Sequence, residues 1–331
     1  MRYIDAVRAQ GENLRASRAA VSGQLADLDL AAWRDARLGL VGMGASHNAV
    51  LALLGCYWAS GLRAAAWLGS DLVRPGAAAN IDAAVAISQT GRSAELVSSL
   101  AALPSGLPKL ALTDDQASPV ADATDATVWL SLLEDSEVRT LGYTGTLQAL
   151  GVLRDALAAG NSAPDWDWLA DETDRQVSLA EGFADWVLPE IRRIRSFDVV
   201  GSGAQFGSAA QAALLLREVS RLPGAAYDTY EYLHGPVEAA EPGLALIVVG
   251  GAREVKLAVA MAGVGATVIL VTAEEVGRRD GLFVYGLPEC DDALRPVLEI
   301  LPAQTIALAL AEDRGLPVGE FRHHQDDTKV A

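Results

Sequence analysis

Polar side chains suited to binding an anion are concentrated in one six-residue segment of the sequence. The segment reads Ser88-Gln89-Thr90-Gly91-Arg92-Ser93. It follows a short apolar run and precedes an amphipathic stretch, so we expect it at a turn from a strand into a helix. Hydroxyls and the free N–H groups of a helix N-terminus could bind a phosphate there. The alternative is that Ser88, Thr90 and Ser93 only cap the helix.

A second turn of this kind lies nearer the N-terminus, in the segment Gly42-Met43-Gly44-Ala45-Ser46. Glycine allows a backbone to approach a ligand closely. A dinucleotide site would need a third glycine at position 47, where the chain has His47, so we expect no nicotinamide cofactor. Both turns are expected at the carboxyl edge of one sheet, where open α/β folds bind ligands.

Two residues in the second half of the chain could transfer protons. A helix predicted over residues 208–222 places Glu218 on one face with apolar residues; these are Leu214, Leu215 and Leu222, together with Gln211. Partial desolvation would make this carboxylate a better general base, whereas an ordinary ion pair or a solvated position is the alternative. His234 precedes Gly235-Pro236, and imidazole suits proton transfer near neutral pH, although a lone loop histidine is more often structural or solvated.

The elements that would position these residues alternate between short apolar runs and amphipathic stretches, which predicts parallel sheets covered by helices. The first half contains strand candidates at 38–44, 84–88, 110–113 and 126–130; the second half contains them at 197–203, 245–251 and 268–272. The same 159 residues separate Gly44 from Gly203 and Thr113 from Thr272, which indicates a duplication. We predict a helical arm over residues 1–35, a first domain over 36–160 and a second domain over 161–331.

Composition restricts the class of protein. The 331 residues include 26 basic and 43 acidic side chains, a formal charge of −17, which disfavours binding to nucleic acid or anionic membranes. We expect no membrane span and no secretory signal, because charges interrupt every apolar run. Two cysteines far apart in sequence fit a reducing, cytoplasmic location.

Four short motifs carry a resemblance to a known family. Ile87-Ser88-Gln89-Thr90-Gly91 and Gly44-Ala45-Ser46 resemble the phosphate-binding turns of the tandem sugar isomerase (SIS) family. Arg217-Glu218-Val219-Ser220, followed by Glu231-Tyr232-Leu233-His234-Gly235-Pro236, resembles the isomerase domain of glucosamine-6-phosphate synthase, with 16 residues between the glutamate and the histidine. The resemblance implies two tandem three-layer α-β-α domains with parallel sheets.

The resemblance also implies roles for individual residues. The phosphate of a sugar or amino sugar would be bound by Ser46, Ser88, Gln89, Thr90 and Ser93. Glu218 would move a proton between sugar carbons 1 and 2, and His234, contributed by the second subunit of a homodimer, would assist ring opening. Lys329, in the terminal Thr328-Lys329-Val330, would close the site and could form a Schiff base; disorder of this tail is the alternative. The proton transfer requires no metal or organic cofactor.

Three departures from the family pattern leave the reaction open. Leu215 and Leu141 stand where the family has lysines, and Arg92 replaces an acidic residue. Met1 leads directly into the arm, so we expect no glutamine-hydrolysing domain. The candidates are an isomerase, a deaminase or a deglycase of a sugar–amino acid conjugate. A sugar-phosphate sensor without catalytic activity is the alternative from another class.

Overall fold

The computed structural model describes residues 1–158, 163–323 and 326–330. These residues contain ten strands: β1 Arg37–Gly42, β2 Arg63–Leu68, β3 Ala83–Ile87, β4 Lys109–Thr113, β5 Ala126–Trp129, β6 Ser196–Val200, β7 Gly224–Tyr227, β8 Leu244–Val249, β9 Thr267–Thr272 and β10 Leu282–Gly286. They also contain fourteen α-helices: α1 Tyr3–Arg8, α2 Gln10–Asp27, α3 Ala31–Arg34, α4 Ala45–Ala59, α5 Gly69–Leu72, α6 Ala94–Ala102, α7 Pro119–Asp122, α8 Leu141–Leu157, α9 Trp166–Ile191, α10 Ala204–Glu218, α11 Thr229–Leu233, α12 Ala252–Gly263, α13 Arg295–Glu299 and α14 Leu301–Asp313. Short 3-10 helices span Ala77–Asn80, Pro236–Ala239 and Asp326–Thr328.

The chain forms two compact units, each built from segments that are not contiguous in sequence. The first unit comprises Glu12–Glu134, Leu141–Ala170 and Arg322–Ala331. The second unit comprises Met1–Gly11, Asp135–Thr140 and Asp171–Phe321. The predicted boundary between residues 160 and 161 lies outside the described residues, and the predicted domain limits remain a prediction.

Each unit contains one five-stranded parallel sheet, which confirms the predicted α/β fold. The first sheet has the order β2-β1-β3-β4-β5, and the second, read in the equivalent direction, has the order β7-β6-β8-β9-β10. Helices cover the sheets, and β3 is buried along its whole length, as expected for a parallel strand packed on both faces. Apolar side chains of the sheet and of the helices that cover it form a buried core in each unit; examples are Val41, Leu96 and Ala111 in the first unit and Val200, Leu257 and Leu270 in the second.

The two units repeat one another in backbone detail as well as in strand order. Gly44 caps α4 with φ 52° and ψ −126°, and Gly203 caps α10 with φ 60° and ψ −123°. A side chain is strained at such positive φ values, so glycine is the residue that both turns require. The matched conformations, 159 residues apart, agree with the duplication read from the sequence.

Three edge strands, β2, β7 and β10, were missing from the sequence-based assignment. Strands β2 and β7 consist largely of alanine, in Arg63-Ala64-Ala65-Ala66-Trp67-Leu68 and Gly224-Ala225-Ala226-Tyr227. Alanine favours helices and lacks the branched Cβ that is typical of strands, so local propensity disguised both. Pairing with the neighbouring strands β1 and β6 overrides that preference.

The predicted limits of the helix that carries Glu218 were wrong by four residues at each end. The prediction was 208–222, whereas α10 spans Ala204–Glu218. The helix begins directly after the Gly203 turn, and Arg221, with φ 54°, lies beyond its end. Leu222 therefore does not share a helical face with Glu218, which is the last residue of α10.

The predicted N-terminal arm is helical and is divided into α1, α2 and α3. Within the described residues, none of the helices combines the length and the apolar character needed to cross a bilayer.

Candidate active site

The two predicted phosphate-binding turns of the first unit follow neighbouring strands. The turn after β1 leads into α4 and carries Ser46 in the first helical turn; the turn 88–93 follows β3 and leads into α6. Strands β1 and β3 are paired in the middle of the sheet, and Gly42 lies opposite Ile87 at their carboxyl ends. Because β2 and β3 lie on opposite sides of β1, this is the point where the chain reverses direction along the sheet. Ligands of doubly wound folds bind there.

The backbone of the 88–93 turn is held by hydrogen bonds from the β4 end of the sheet. The Ser88 N–H donates to the Leu112 carbonyl at 3.1 Å, and the Asp114 N–H donates to the Gln89 carbonyl at 2.8 Å. Gly91 has φ 62°, and a Cβ there would lie 1.9 Å from the Ser118 hydroxyl oxygen. The turn therefore depends on glycine at position 91 for two reasons, its backbone conformation and the contact with Ser118.

The hydroxyls of this turn are not engaged in capping α6. Ser93 is the N-cap residue, yet its side chain accepts no hydrogen bond from the helix. Ser88 is only 3% exposed, and its Oγ lies 3.4 Å from the Ser93 Oγ. The Thr90 hydroxyl is buried and has no hydrogen-bond partner among the described residues. These groups thus retain hydrogen-bonding capacity at the expected ligand position.

Gln89 lies against the start of α8, where Gly142 leaves room for it. A Cβ at residue 142 would be 2.2 Å from the Gln89 Oε1. The neighbouring Leu141, one of the two leucines that replace family lysines, is fully buried. Sequence reasoning noted the changed motif at 140–144, but the contact between Gln89 and Gly142 became apparent only in the fold.

Arg92 does not offer a free charge to the turn. Its guanidinium forms an ion pair with the Asp115 carboxylate at 3.2 Å. Both side chains are somewhat more than one-third exposed, so this pair contributes little to stability. Asp115 was not anticipated from the sequence, since it lies 23 residues from Arg92.

The C-terminal segment of the chain packs against the same turn. Lys329 forms an antiparallel bridge with Ser93, and the Val330 N–H donates to the Arg92 carbonyl at 2.9 Å. This backbone pairing places Lys329, which is exposed, beside the 88–93 turn. His324, in the same tail, lies outside the described residues.

In the second unit, Glu218 lies at the end of α10 in a largely desolvated position. Burial raises the pKa of this carboxyl to about 7, from an ordinary value of 4.5. Tyr3 is a neighbour that the sequence did not reveal: burial raises the pKa of its phenol above the usual range, and the charge of Glu218 contributes to the increase. Leu215, one helical turn before Glu218, is 1% exposed, so the position of the missing lysine is apolar.

His234 follows α11 and is exposed. Its position is set by Asp228, whose carboxylate accepts from the Tyr230 N–H at 2.8 Å and caps the helix, and by the fully buried Tyr232. The backbone N–H of His234 donates to the Glu231 carbonyl at 3.0 Å. The imidazole is therefore presented to solvent from an anchored turn.

A second buried carboxyl belongs to Glu299, on α13. It accepts hydrogen bonds from the Ser208 hydroxyl at 2.5 Å and from the Gln205 side-chain amide at 3.2 Å. Burial raises the pKa of Glu299. These contacts join α13 to the first turns of α10, the helix that ends at Glu218.

Comparison with known proteins finds that the chain is similar in sequence and in fold to enzymes of sugar phosphates. The glutamine–fructose-6-phosphate aminotransferase (isomerizing) of Thermococcus kodakarensis is 27% identical over 248 residues, which cover 70% of this chain and 41% of the relative. The C-terminal domain of glucosamine-fructose-6-phosphate aminotransferase from Francisella tularensis superposes with a TM-score of 0.81 at 19% identity, over 96% of this chain and 98% of that one. The resemblance to tandem sugar isomerase domains is confirmed.

The same fold occurs in a glucosamine-6-phosphate deaminase from Thermotoga maritima, with a TM-score of 0.74 at 20% identity over 95% of this chain and 97% of that one. No family model matches the chain. The chain spans about two-fifths of the length of the curated relative it matches.

Proposed function

We propose that this protein is an aldose–ketose isomerase or a deaminase acting on a phosphorylated sugar or amino sugar. The observation that carries the proposal is Glu218, a carboxyl largely removed from water, with a pKa of about 7. A general base works best when its pKa lies near the operating pH, and removal of the proton beside a sugar carbonyl needs such a base. The first unit supports the proposal with hydroxyls at its strand-order reversal that do not cap the following helix.

In the proposed reaction, the phosphate is held by Ser46, Ser88, Gln89, Thr90 and Ser93, with help from the N-termini of α4 and α6. The Glu218 carboxylate removes the proton from carbon 2 and returns it to carbon 1, or performs the reverse transfer. His234 of the partner subunit assists opening of the sugar ring. Lys329 supplies the amine that closes the site and can form a Schiff base with the open-chain carbonyl.

Hydrogen exchange into the substrate, followed by NMR in heavy water, tests the proposal at carbon 1 of fructose 6-phosphate and at carbon 2 of glucosamine 6-phosphate. Glu218→Gln keeps the size of the side chain but removes the base, so the exchange rate should fall by about 10²- to 10⁴-fold. Glu312→Gln, at an exposed position on α14, is the matched control and should retain the rate. Full retention of exchange in Glu218→Gln would remove this residue from the mechanism.

A sugar-phosphate sensor is the second candidate, and it is favoured by the buried leucines at 141 and 215 in place of family lysines. The same experiment separates the two functions. A sensor would bind phosphorylated sugars, seen as a higher melting temperature, without catalysing hydrogen exchange at carbon 1 of the ketose or carbon 2 of the amino sugar.

The proposed homodimer is tested by mixing two inactive variants, Glu218→Gln and His234→Ala. If each site takes its histidine from the partner subunit, random reassortment restores about one-quarter of the sites, because half of the dimers are mixed and each mixed dimer has one intact site. If both residues act within one subunit, mixing restores nothing. A protein that is active and strictly monomeric by light scattering would contradict the arrangement.

A further inference from the structure

The second unit has a strand-order reversal equivalent to the candidate phosphate site of the first, but its turn is different. In the first unit, six residues, 88–93, separate β3 from α6; in the second unit, only Gly250 and Gly251 separate β8 from α12. The short turn contains no hydroxyl. The two units thus share one topology while only the first has side chains suited to a phosphate on this turn.

Glu254, in the first turn of α12, occupies the space above the short turn. Its side chain packs over Gly250, so close that a Cβ on this glycine would lie 2.8 Å from the Glu254 Cγ. The Glu254 Oε1 accepts hydrogen bonds from the Ser202 hydroxyl at 2.8 Å and from the Thr229 hydroxyl at 2.7 Å. Glu254 is only 5% exposed.

This arrangement reproduces the surroundings that an anion bound at this edge would have. The carboxyl group lies at the N-terminus of a twelve-residue helix, where backbone N–H groups and the helix dipole favour negative charge. Two hydroxyls that could serve a phosphate already donate to it. A phosphate entering the same space would meet both the volume and the charge of Glu254, and neither could be displaced cheaply from a buried position.

We propose that the Glu254 carboxylate occupies the anion-binding space at the strand-order reversal of the second sheet and excludes phosphate from it. Each chain then binds a single phosphate, in the first unit. The location of that single phosphate rests on the proposed function. Glu254 also positions two segments, because Ser202 precedes α10, which ends at Glu218, and Thr229 begins α11, which ends just before His234. An internal carboxyl keeps both segments in place whether or not substrate is bound.

Isothermal titration with inorganic phosphate tests the proposal through the number of sites per chain. Wild-type protein should bind one phosphate. Glu254→Ala removes the carboxyl, leaves the Ser202 and Thr229 hydroxyls facing an open space, and should bind two. Glu254→Gln is the matched control, since its amide fills the space and can still accept both hydroxyls; it should bind one. A value of one for Glu254→Ala would overturn the proposal.

The same titration separates failure of this proposal from failure of the proposed function. In a Ser88→Ala/Ser93→Ala background, which removes hydroxyls from the first site, Glu254→Ala should still gain one phosphate relative to its parent. If wild-type protein binds none, the phosphate site of the first unit is wrong, but a gain from zero to one in Glu254→Ala supports the closed second site. No gain in either background overturns it.

Glu254→Ala leaves the buried Thr229 hydroxyl and the partly buried Ser202 hydroxyl without their carboxylate acceptor, which lowers the stability of the folded protein. If that variant does not fold in buffer, melting curves of Glu254→Ser with and without phosphate provide the second measurement. Phosphate should raise its melting temperature by more than that of Glu254→Gln, because only the serine variant offers an additional site. Equal increases would contradict the proposal.

Discussion

At the scale of single residues, the proposed chemistry depends on groups whose hydrogen-bonding or charge requirements the folded chain leaves incompletely met. Glu218 is largely removed from water. The hydroxyls of Ser88, Thr90 and Ser93 lie on the 88–93 turn without capping helix α6. Buried polar groups normally find partners, and those that do not are candidates for binding a ligand. A substrate that carries a phosphate and an acidic carbon–hydrogen bond would satisfy both kinds of group.

The raised pKa of Glu218 predicts a pH dependence of stability. The folded state holds this proton up to about pH 7, whereas the unfolded chain releases it near pH 4.5. The stabilisation is therefore complete below pH 4.5 and is lost as the pH rises toward 7, with a slope of at most about 1.4 kcal/mol per pH unit. Urea unfolding at pH 5 and pH 8 should show a larger loss for wild-type protein than for Glu218→Gln. An identical pH profile in the two proteins would contradict the burial of this carboxyl.

The hydroxyls of the first unit predict a graded loss of affinity. A hydrogen bond to a charged group contributes about 1.5–3 kcal/mol, so Ser88→Ala and Ser93→Ala should each weaken binding of a sugar phosphate by about 10- to 100-fold. Ser98→Ala, at an exposed position on the same helix α6, is the control and should leave the Kd unchanged. Titration calorimetry measures all three; equal affinities throughout would place the phosphate elsewhere.

At the scale of elements, the site is created by the turns that join strands to helices. The 88–93 turn is long enough to carry hydroxyls because Gly91 bends it and bonds from the β4 end hold it. Lys329 and Val330 then pair with its last two residues. The same reversal point in the second unit has a two-residue turn and a carboxyl in the ligand position. Loop length, rather than sheet topology, separates the two units.

Gly91 provides a direct test of the turn. Gly91→Ala places a methyl group in a left-handed conformation and against Ser118, whereas Gly106→Ala has the same sign of φ, 90°, with open space around it. Gly106→Ala should lower the free energy of unfolding by about 1–2 kcal/mol and leave phosphate binding unchanged. Gly91→Ala should lower the free energy of unfolding by about 1–3 kcal/mol more than Gly106→Ala does, and it should lose phosphate binding. Similar behaviour of the two variants in urea unfolding and titration would contradict the packed turn.

At the scale of the whole molecule, the two features with consequences for ligand binding are the net charge and the internal duplication. The formal charge of −17 opposes the approach of a sugar phosphate, so the proposed site would have to bind its ligand through short-range donors. Duplication supplied two equivalent sheets, and the curated relative that the chain matches is more than twice as long as the shared region. The two sheets differ in the loops that join their strands to the following helices.

The overall charge predicts an unusual response to salt. Screening shortens the reach of the repulsive field from roughly 30 Å at 10 mM salt to about 8 Å at 150 mM, so the association rate of a sugar phosphate should rise by a few-fold over this range. Stopped-flow measurements in potassium chloride test this, and sucrose at matched osmolality is the control. A rate that falls steeply with salt would indicate a local positive field around the site.

Much of the fold could be predicted from local pattern. Apolar runs followed by turns that contain glycine marked β1, β3, β6 and β8, because buried parallel strands leave a strong signal in sequence. The alanine-rich edge strands β2 and β7 left no such signal. The end of α10 was misplaced because Arg221 takes a positive φ of 54°, a conformation that arginine rarely adopts and that its residue type does not predict.

Residue type, spacing and local period were sufficient to predict the fold class, the duplication and the candidate residues. The availability of the polar groups depends instead on contacts made in the folded chain: Glu218 is largely removed from water, Arg92 is paired with Asp115, Ser93 is bridged to Lys329, and Glu254 fills one of the two equivalent sheet edges. The physical reason is that burial and hydrogen-bond partners come from residues distant in the chain, and no local pattern encodes them.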